Sequence, residues 1–270
     1  MKPLTLRLRS QLPCVVDASV LVPHVLAGKK RGEIERLSVL GWNQSFAVGD
    51  VFAVAGDDPS HVVLEGSNGQ LIRVGAGLQS GALTVAGNAG DYAGESMRGG
   101  TLLVQGDAGD YAGAGMRGGT LTISGNAGSF TGSGRAGEMQ GMSGGCIVVH
   151  GDAGDRTGDR MRRGMLLIEG SAASYCASRM VAGTMVVLGH VGTHPGYLMR
   201  RGTLILANRS VELLPTFNHN GEHELLAIPL LLDSMVQYGA AFKRLAQRRR
   251  FGRWLGDLGC EGKGEILLAR

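Results

Sequence analysis

Six arginines that follow methionines at regular spacing are the side chains best suited to chemistry in this sequence. They are Arg98, Arg117, Arg162, Arg163, Arg200 and Arg201. Because they recur at one place in a repeated unit, we expect them to line up as a basic stripe. Guanidinium groups bind carboxylates and phosphates, so the stripe is a candidate site for a polyanion or for an acidic partner surface. The alternative interpretation is solvated charge that protects a corner of the fold.

Other segments that resemble ligand-binding motifs lack the surroundings which such chemistry needs. Residues 132–137 read G-x-G-x-x-G but lie in no strand, turn and helix of a dinucleotide site. His219 and His223 are four residues apart, yet the Asn-Gly pair between them disfavours a helical zinc site. The four cysteines form no C-x-x-C pair. We therefore predict no catalytic residues, no metal ligands and no bound cofactor on this chain.

The element that must position the arginines is a repeat. A glycine closes each apolar tract, a methionine recurs in the corner that follows, and both columns advance by 19 residues apart from one step of 26. The methionines are Met97, Met116, Met142, Met161, Met180 and Met199. Two columns with one period and one shared interruption of seven residues predict an all-β solenoid in which each repeat stacks on the next.

Each repeat contains a five-residue apolar tract whose side chains alternate between two faces of a strand, and a glycine-rich corner follows it. The many glycines of each repeat exclude a long helix. Residues two apart share one face of a strand, and equivalent residues of successive repeats form a ladder. We expect one such ladder, the inward ladder, to point into the core. Its pairs are Leu83/Val85, Leu102/Val104, Leu121/Ile123, Ile147/Val149, Leu166/Ile168, Met185/Val187 and Leu204/Leu206. Aromatic residues form a further column of Tyr92, Tyr111, Phe130 and Tyr175.

An outward ladder lies between the inward residues and becomes mainly apolar toward its end. Its members are Thr84, Leu103, Thr122, Val148, Leu167, Val186 and Ile205. Because monomers seldom expose a continuous apolar strip, we expect the chain's own tail or another subunit to cover it. The tail has helix-forming stretches over residues 225–250, and we predict that it packs across the repeats or reaches a neighbouring subunit.

Three regions follow from these patterns. Residues 1–80 form an N-terminal capping segment, which includes a short helix over 17–27 that Pro23 interrupts. Residues 81–208 carry the glycine-rich repeats, and residues 209–270 form a helical C-terminal extension.

Composition agrees with a folded chain rather than a glycine-rich linker, because 46 glycines are periodic and 43% of the 270 residues are hydrophobic. The net charge of +4 is a mild basic bias. There is no signal peptide and no apolar run of 18 residues, so we expect a cytoplasmic protein with reduced thiols. Neither a membrane nor a nucleic acid is an expected partner.

Residues 106–120, GDAGDYAGAGMRGGT, resemble a glycine-rich repeat family, and the match extends over about 83–206. This family is shared by the C-terminal domain of the large subunit of glutamate synthase and by the subunit of formylmethanofuran dehydrogenase designated C, which we call the C-type subunit. The resemblance implies a right-handed β-helix. Residues 27–29, 33–37 and 48–52, with the insertion at 137–142, look like the C-type subunit family of formylmethanofuran dehydrogenase.

That resemblance implies a non-catalytic scaffold subunit of a complex in one-carbon metabolism. In the bacterial formyltransferase/hydrolase complex, formyl passes from formyl-tetrahydromethanopterin to a methanofuran-like carrier and is hydrolysed to formate. The implied partners are amidohydrolase-like and formyltransferase subunits, with zinc, and the carrier's polyglutamate tail is a candidate ligand for the arginine stripe. The alternative relative is a tungsten or molybdenum formylmethanofuran dehydrogenase, which uses molybdopterin.

Two hypotheses come from other classes. A stand-alone β-helical enzyme that acts on polysaccharide predicts secretion and a carboxylate-lined groove, and the sequence has neither. An independent glutamate synthase-type accessory domain predicts a flavin and iron–sulfur partner.

Overall fold

The computed structural model describes residues 2–12, 14–208 and 210–270. They form mainly β-structure, in one sheet of 13 strands and a second sheet of four. In the described part of the chain no helix is long and apolar enough to cross a membrane. The fold class is therefore β-rich, as the alternation of the apolar tracts predicts.

The N-terminal region combines seven strands with three short helices. They are β1 (Pro3–Leu8), β2 (Val16–Asp17), α1 (Pro23–Leu26), α2 (Arg31–Glu35), β3 (Ser38–Gly41), β4 (Gln44–Ala47), α3 (Val48–Val51), β5 (Phe52–Ala55), β6 (Asp58–Asn68) and β7 (Leu71–Ile72). The small sheet has the order β4-β3-β2-β7, while β5, β1 and β6 belong to the large one. The helix predicted over 17–27 is confined to α1, because proline fits only the first turn of a helix.

Seven consecutive parallel strands form what we call the repeat stack. They are β8 (Ala82–Asn88), β9 (Arg98–Val104), β10 (Gly118–Ile123), β11 (Ser143–Val149), β12 (Arg163–Ile168), β13 (Thr184–Val187) and β14 (Arg201–Leu206). Leu102 lies opposite Leu121, and Leu121 lies opposite Ile147 across the interruption. The extra residues therefore leave the ladder register unchanged. A second column of parallel bridges joins Ala89, Ala108, Ala127, Ala153, Ala172 and Val191.

The core sits inside the repeat stack. All fourteen residues of the predicted inward ladder are at most 1% exposed, and the six methionines at the corner are fully buried. Burial of each such side chain contributes about 1.5–3 kcal/mol. The inward placement predicted from the alternation is confirmed.

Corners of the repeat stack turn through residues with positive φ. Tyr92, Tyr111 and Phe130 each have φ near 60°, and their rings stack with centroids 4.9 and 4.8 Å apart. Stacking of about 0.5–1.5 kcal/mol per pair offsets much of the cost of a left-handed residue. At Gly119, with φ of 83°, an added Cβ would lie 2.7 Å from the carbonyl oxygen of Gly100, so glycine is required there.

The C-terminal segment covers the C-terminal part of the outward ladder, from Val148 to Ile205. It contains β15 (Asn218–Glu224), α4 (Ala227–Met235), a 3-10 turn (Val236–Tyr238), α5 (Ala241–Ala246), β16 (Arg250–Gly256) and β17 (Lys263–Ala269). Leu232 and Phe242 are fully buried in one cluster with Leu167, Val186 and Ile205 of the ladder. The prediction that the tail packs across the repeats is confirmed.

The helices lie within the predicted stretch 225–250, whereas the rest of the extension over 209–270, which we also expected to be helical, contains strands. β17 pairs in parallel with β14 as one further rung, and β16 and β15 follow in antiparallel pairs. The backbone groups along the free edge of β14 need hydrogen-bond partners, and a strand supplies them where a helix cannot.

Candidate functional site

Backbone hydrogen bonds place the arginines in one column along the stack. The amide of Arg117 donates to the carbonyl of Met97, that of Arg162 to Met142 and that of Arg200 to Met180, at 2.7–2.8 Å. The amides of Ser143 and Val181 make the same bond to Met116 and Met161. These two residues therefore interrupt the column, and the stripe is discontinuous.

Four of the six arginines surround a cavity at the C-terminal end of this column, which we call the corner cavity. Its volume is about 200 Å³, and it is lined by Arg162, Arg163, Val181, Ala182, Arg200, Arg201 and Glu261. Val181 and Ala182 lie between the two arginine pairs, and their short side chains leave room for the cavity. Glu261 lies 3.5 Å from Arg201, and among the described residues no other carboxylate pairs with these arginines. Four exposed cations against one carboxylate favour an anion here.

The remaining two arginines lie apart from the corner cavity. Arg117 lines a separate cavity of about 320 Å³ with Glu138, Met139 and Gln140 of the insertion. Arg98 is exposed at the start of β9 and lines neither cavity. The structure thus brings together four of the six predicted site residues.

Charged side chains fix the seven-residue insertion over the corner. Arg135 donates from Nε to Glu138 at 2.9 Å and lies 3.5 Å from the buried carboxylate of Glu95. Arg73 reaches the other oxygen of Glu95 at 3.0 Å, and Arg160 donates to the carbonyl of Glu138 at 2.7 Å. The hydrogen bond from Arg135 lowers the pKa of Glu138. Oε2 of Glu95 has no well-aligned hydrogen-bond donor among the described residues, so its contact with Arg73 is ionic.

A second buried carboxylate lies in the same corner column. Asp159 is 4% exposed and accepts two hydrogen bonds from Arg179, at 2.9 and 2.7 Å, and one from the hydroxyl of Ser178 at 2.5 Å. Sequence reasoning missed both acids. The available signal was that Glu95 and Asp159 occupy a column in which other repeats carry Ala114 and Ser178.

Cysteines and histidines are not arranged for nucleophilic or metal chemistry. Burial raises the pKa of Cys146 and of Cys176 to about 12, so both are neutral thiols at physiological pH. His219 and His223 lie on β15 rather than on a helix. Across residues 2–12, 14–208 and 210–270 no three His, Cys, Asp or Glu side chains gather where a metal could bind.

Comparisons with known proteins identify relatives of the chain. The family described as the GXGXG motif matches residues 82–228. The C-type subunit of the formyltransferase/hydrolase complex Fhc of Methylorubrum extorquens is 44% identical over 86 residues. That alignment covers 32% of this chain and spans only 32% of the curated relative.

A solved structure extends the similarity to nearly the full length. A chain in the crystal structure of the formyltransferase/hydrolase complex (FhcABCD) from Methylorubrum extorquens, determined with methylofuran, is 44% identical with a TM-score of 0.93. The match covers 98% of this chain and 99% of that chain.

Proposed function

We propose, from the premise that this chain belongs to the GXGXG motif family and is a homologue of the C-type subunit of the formyltransferase/hydrolase complex, that it is the structural subunit of such a complex. The complex would transfer formyl from formyl-tetrahydromethanopterin to a methanofuran-like carrier and hydrolyse it to formate. The match over 98% of the chain carries the proposal. Both relatives are named for this complex, which favours it over a formylmethanofuran dehydrogenase.

The finer architecture that we propose is a right-handed β-helix over residues 81–208, with a capping segment before it and an extension after it. Two observations support a coil rather than a flat sheet. Consecutive strands pair in parallel with a 19-residue step, and the alanine bridges repeat the same step in a second column. One turn of a β-helix brings both columns into register.

The chemistry would belong to amidohydrolase-like and formyltransferase subunits in the cytoplasm. Within the described residues no side-chain group fits a metal, so we assign the zinc to those partners. Affinity isolation of the complex from its native cells, with mass identification and a metal assay, tests this assignment. Zinc with those two partners supports it, whereas a molybdopterin-bearing partner with iron–sulfur clusters, or recovery of the chain alone, contradicts it.

The arginine stripe would guide the anionic tail of the carrier between active sites on neighbouring subunits. The alignment of the column and the charge of the corner cavity support this role. A matched pair of variants of the complex tests it. The first carries Gln at Arg98, Arg117, Arg162 and Arg200, and the control carries Gln at the exposed cations Lys29, Arg36, Lys243 and Arg249.

We expect the first variant to bind the carrier more weakly and with a shallower dependence on salt, because fewer cations meet the polyanion. The control should keep both properties. Equal affinities and equal salt dependence in the two variants would exclude the stripe as a track.

A further inference from the structure

A groove between the repeat stack and α5 is not used by the proposed function. Residues that directly follow the inward ladder form its floor, namely Glu169, Leu188, Ala207 and Ala269, which lie on four successive rungs. Rungs are about 4.8 Å apart, so the floor is roughly 14 Å long. Ala241, Arg244, Leu245 and Arg248 form the opposite wall and leave a cavity of about 340 Å³.

The direction of α5 along this groove is fixed at both ends. At the first end, a Cβ on Gly239 would lie 2.1 Å from Oε1 of Glu169. At the second end, Arg248 donates to the carbonyl oxygen of Arg270 at 3.3 Å. Arg248 therefore lies at the last rungs, away from Glu169, and Arg244 lies on α5 between the two ends.

Charge is distributed unevenly along the groove. Glu169 at the first end is paired with Nδ1 of His150 at 3.1 Å. Arg244 and Arg248 are exposed at their wall, and neither pairs with an Asp or Glu side chain in the parts of the chain that the structure describes, while Arg248 also donates to the main-chain oxygen of Arg270. Leu188, Ala207 and Leu245 between these ends are apolar. The groove thus offers a cationic clamp, an apolar middle and an end that repels a second anion.

We propose that this groove binds a small apolar monocarboxylate, with its carboxylate between Arg244 and Arg248 and its hydrocarbon on Leu188 and Ala207. Small-molecule sites are typically concave and mostly apolar, with a few polar groups that set orientation. Two charge-assisted hydrogen bonds from arginine are sufficient to orient one carboxylate. Glu169 makes a dicarboxylate or a polyanion a poor ligand, which separates this site from the arginine stripe.

The test uses 4-phenylbutyrate as the probe and its uncharged amide as the matched probe, with the purified complex at low ionic strength. Saturation-transfer NMR should detect the carboxylate and give a clearly weaker signal for the amide. The double variant Arg244→Gln, Arg248→Gln should raise the dissociation constant of the carboxylate about tenfold. A second double variant at exposed cations outside both sites, Lys29→Gln, Arg36→Gln, should leave it unchanged.

Both variants replace exposed side chains, and equal melting temperatures would verify that each remains folded. No transfer to the carboxylate, equal binding of the amide, or equal effects of the two double variants would overturn the proposal. None of these outcomes bears on the identity of the complex, which is tested separately by its partners and metal.

Discussion

At the scale of single residues, the two buried carboxylates act as structural fasteners. Glu95 and Asp159 are each 4% exposed, and each forms an ion pair with an arginine from another position of the corner. A buried charge without a partner is strongly unfavourable, so each acid fixes where its arginines lie. Through Arg135, Glu95 also determines how the insertion lies over the neighbouring repeat.

We expect Asp159→Asn to lower the free energy of unfolding by about 2 kcal/mol, because an amide loses the charge-assisted contacts with Arg179. Urea denaturation measures the change. The matched control is Asp107→Asn, which should cost less than about 0.5 kcal/mol. Asn88 and Asn126 already make the same contact in adjacent repeats, where their side-chain oxygens accept an amide of the next repeat at 2.9 and 2.8 Å. Equal losses in the two variants would contradict the role given to Asp159.

The buried thiols predict a loss of stability in alkali. Their folded pKa of about 12 lies above the value of 9.0 for a free thiol, so between these values the unfolded chain loses protons that the folded chain keeps. The contribution of the two thiols to the free energy of unfolding is fully present below pH 9. It falls above that pH, by about 1.4 kcal/mol per pH unit for each thiol. Between pH 9 and 10.5 the free energy of unfolding, measured by urea denaturation, should fall with a smaller slope against pH in the double variant Cys146→Ala, Cys176→Ala. An unchanged slope would mean that other groups dominate.

At the scale of elements, the tail helices and the repeat stack stabilise each other. Phe242 is fully buried against the outward ladder, whereas Leu230 of α4 is 73% exposed. We expect Phe242→Ala to lower the free energy of unfolding by about 3–4 kcal/mol, and Leu230→Ala to lower it by less than about 0.5 kcal/mol. Chemical denaturation of both variants checks the difference. A small effect at Phe242 would mean that the helices contribute little to the folded state.

The close stacking of corners predicts different costs for two glycines of similar φ. Gly119 and Gly137 have φ of 83° and 84°, but nothing lies within 4 Å of a Cβ at Gly137. Gly137→Ala should therefore lower the free energy of unfolding by about 1 kcal/mol, which is the cost of placing alanine in the left-handed backbone conformation. Gly119→Ala adds a contact with the backbone of the previous repeat and should cost about 3 kcal/mol or more. Thermal or urea unfolding separates the two, and equal costs would show that φ alone requires glycine.

At the scale of the whole molecule, periodicity determines what the sequence can predict. The inward ladder and the methionine corner were predictable because each column repeats many times. β16 and β17 were not, since each occurs once and the parallel partner of β17, β14, lies about 60 residues earlier. The contact of Arg135 with Glu95 spans 40 residues and depends on the path of the insertion, which no repeat encodes. The grouping of four arginines around the corner cavity depends on Val181 and Ala182, which depart from the repeat.

Antiparallel strands at both ends of the large sheet have a consequence for self-assembly. β5 runs against β1 at one end. At the other end β16 runs against β17, and the outermost strand β15 runs against β16 with a shift of register between His219 and Glu222. A stack that ended on a regular parallel strand at both edges, such as β6 and β14, would present the same edges that its own repeats pair with, and molecules could add end to end as a filament. Truncation after Leu206 frees only one edge, because β5 still closes the other end of the sheet. Removal of residues 1–57 as well frees both edges and should yield fibres with a meridional reflection at about 4.8 Å. Amorphous aggregates without that reflection would show that the exposed outward ladder, rather than the freed edges, drives association.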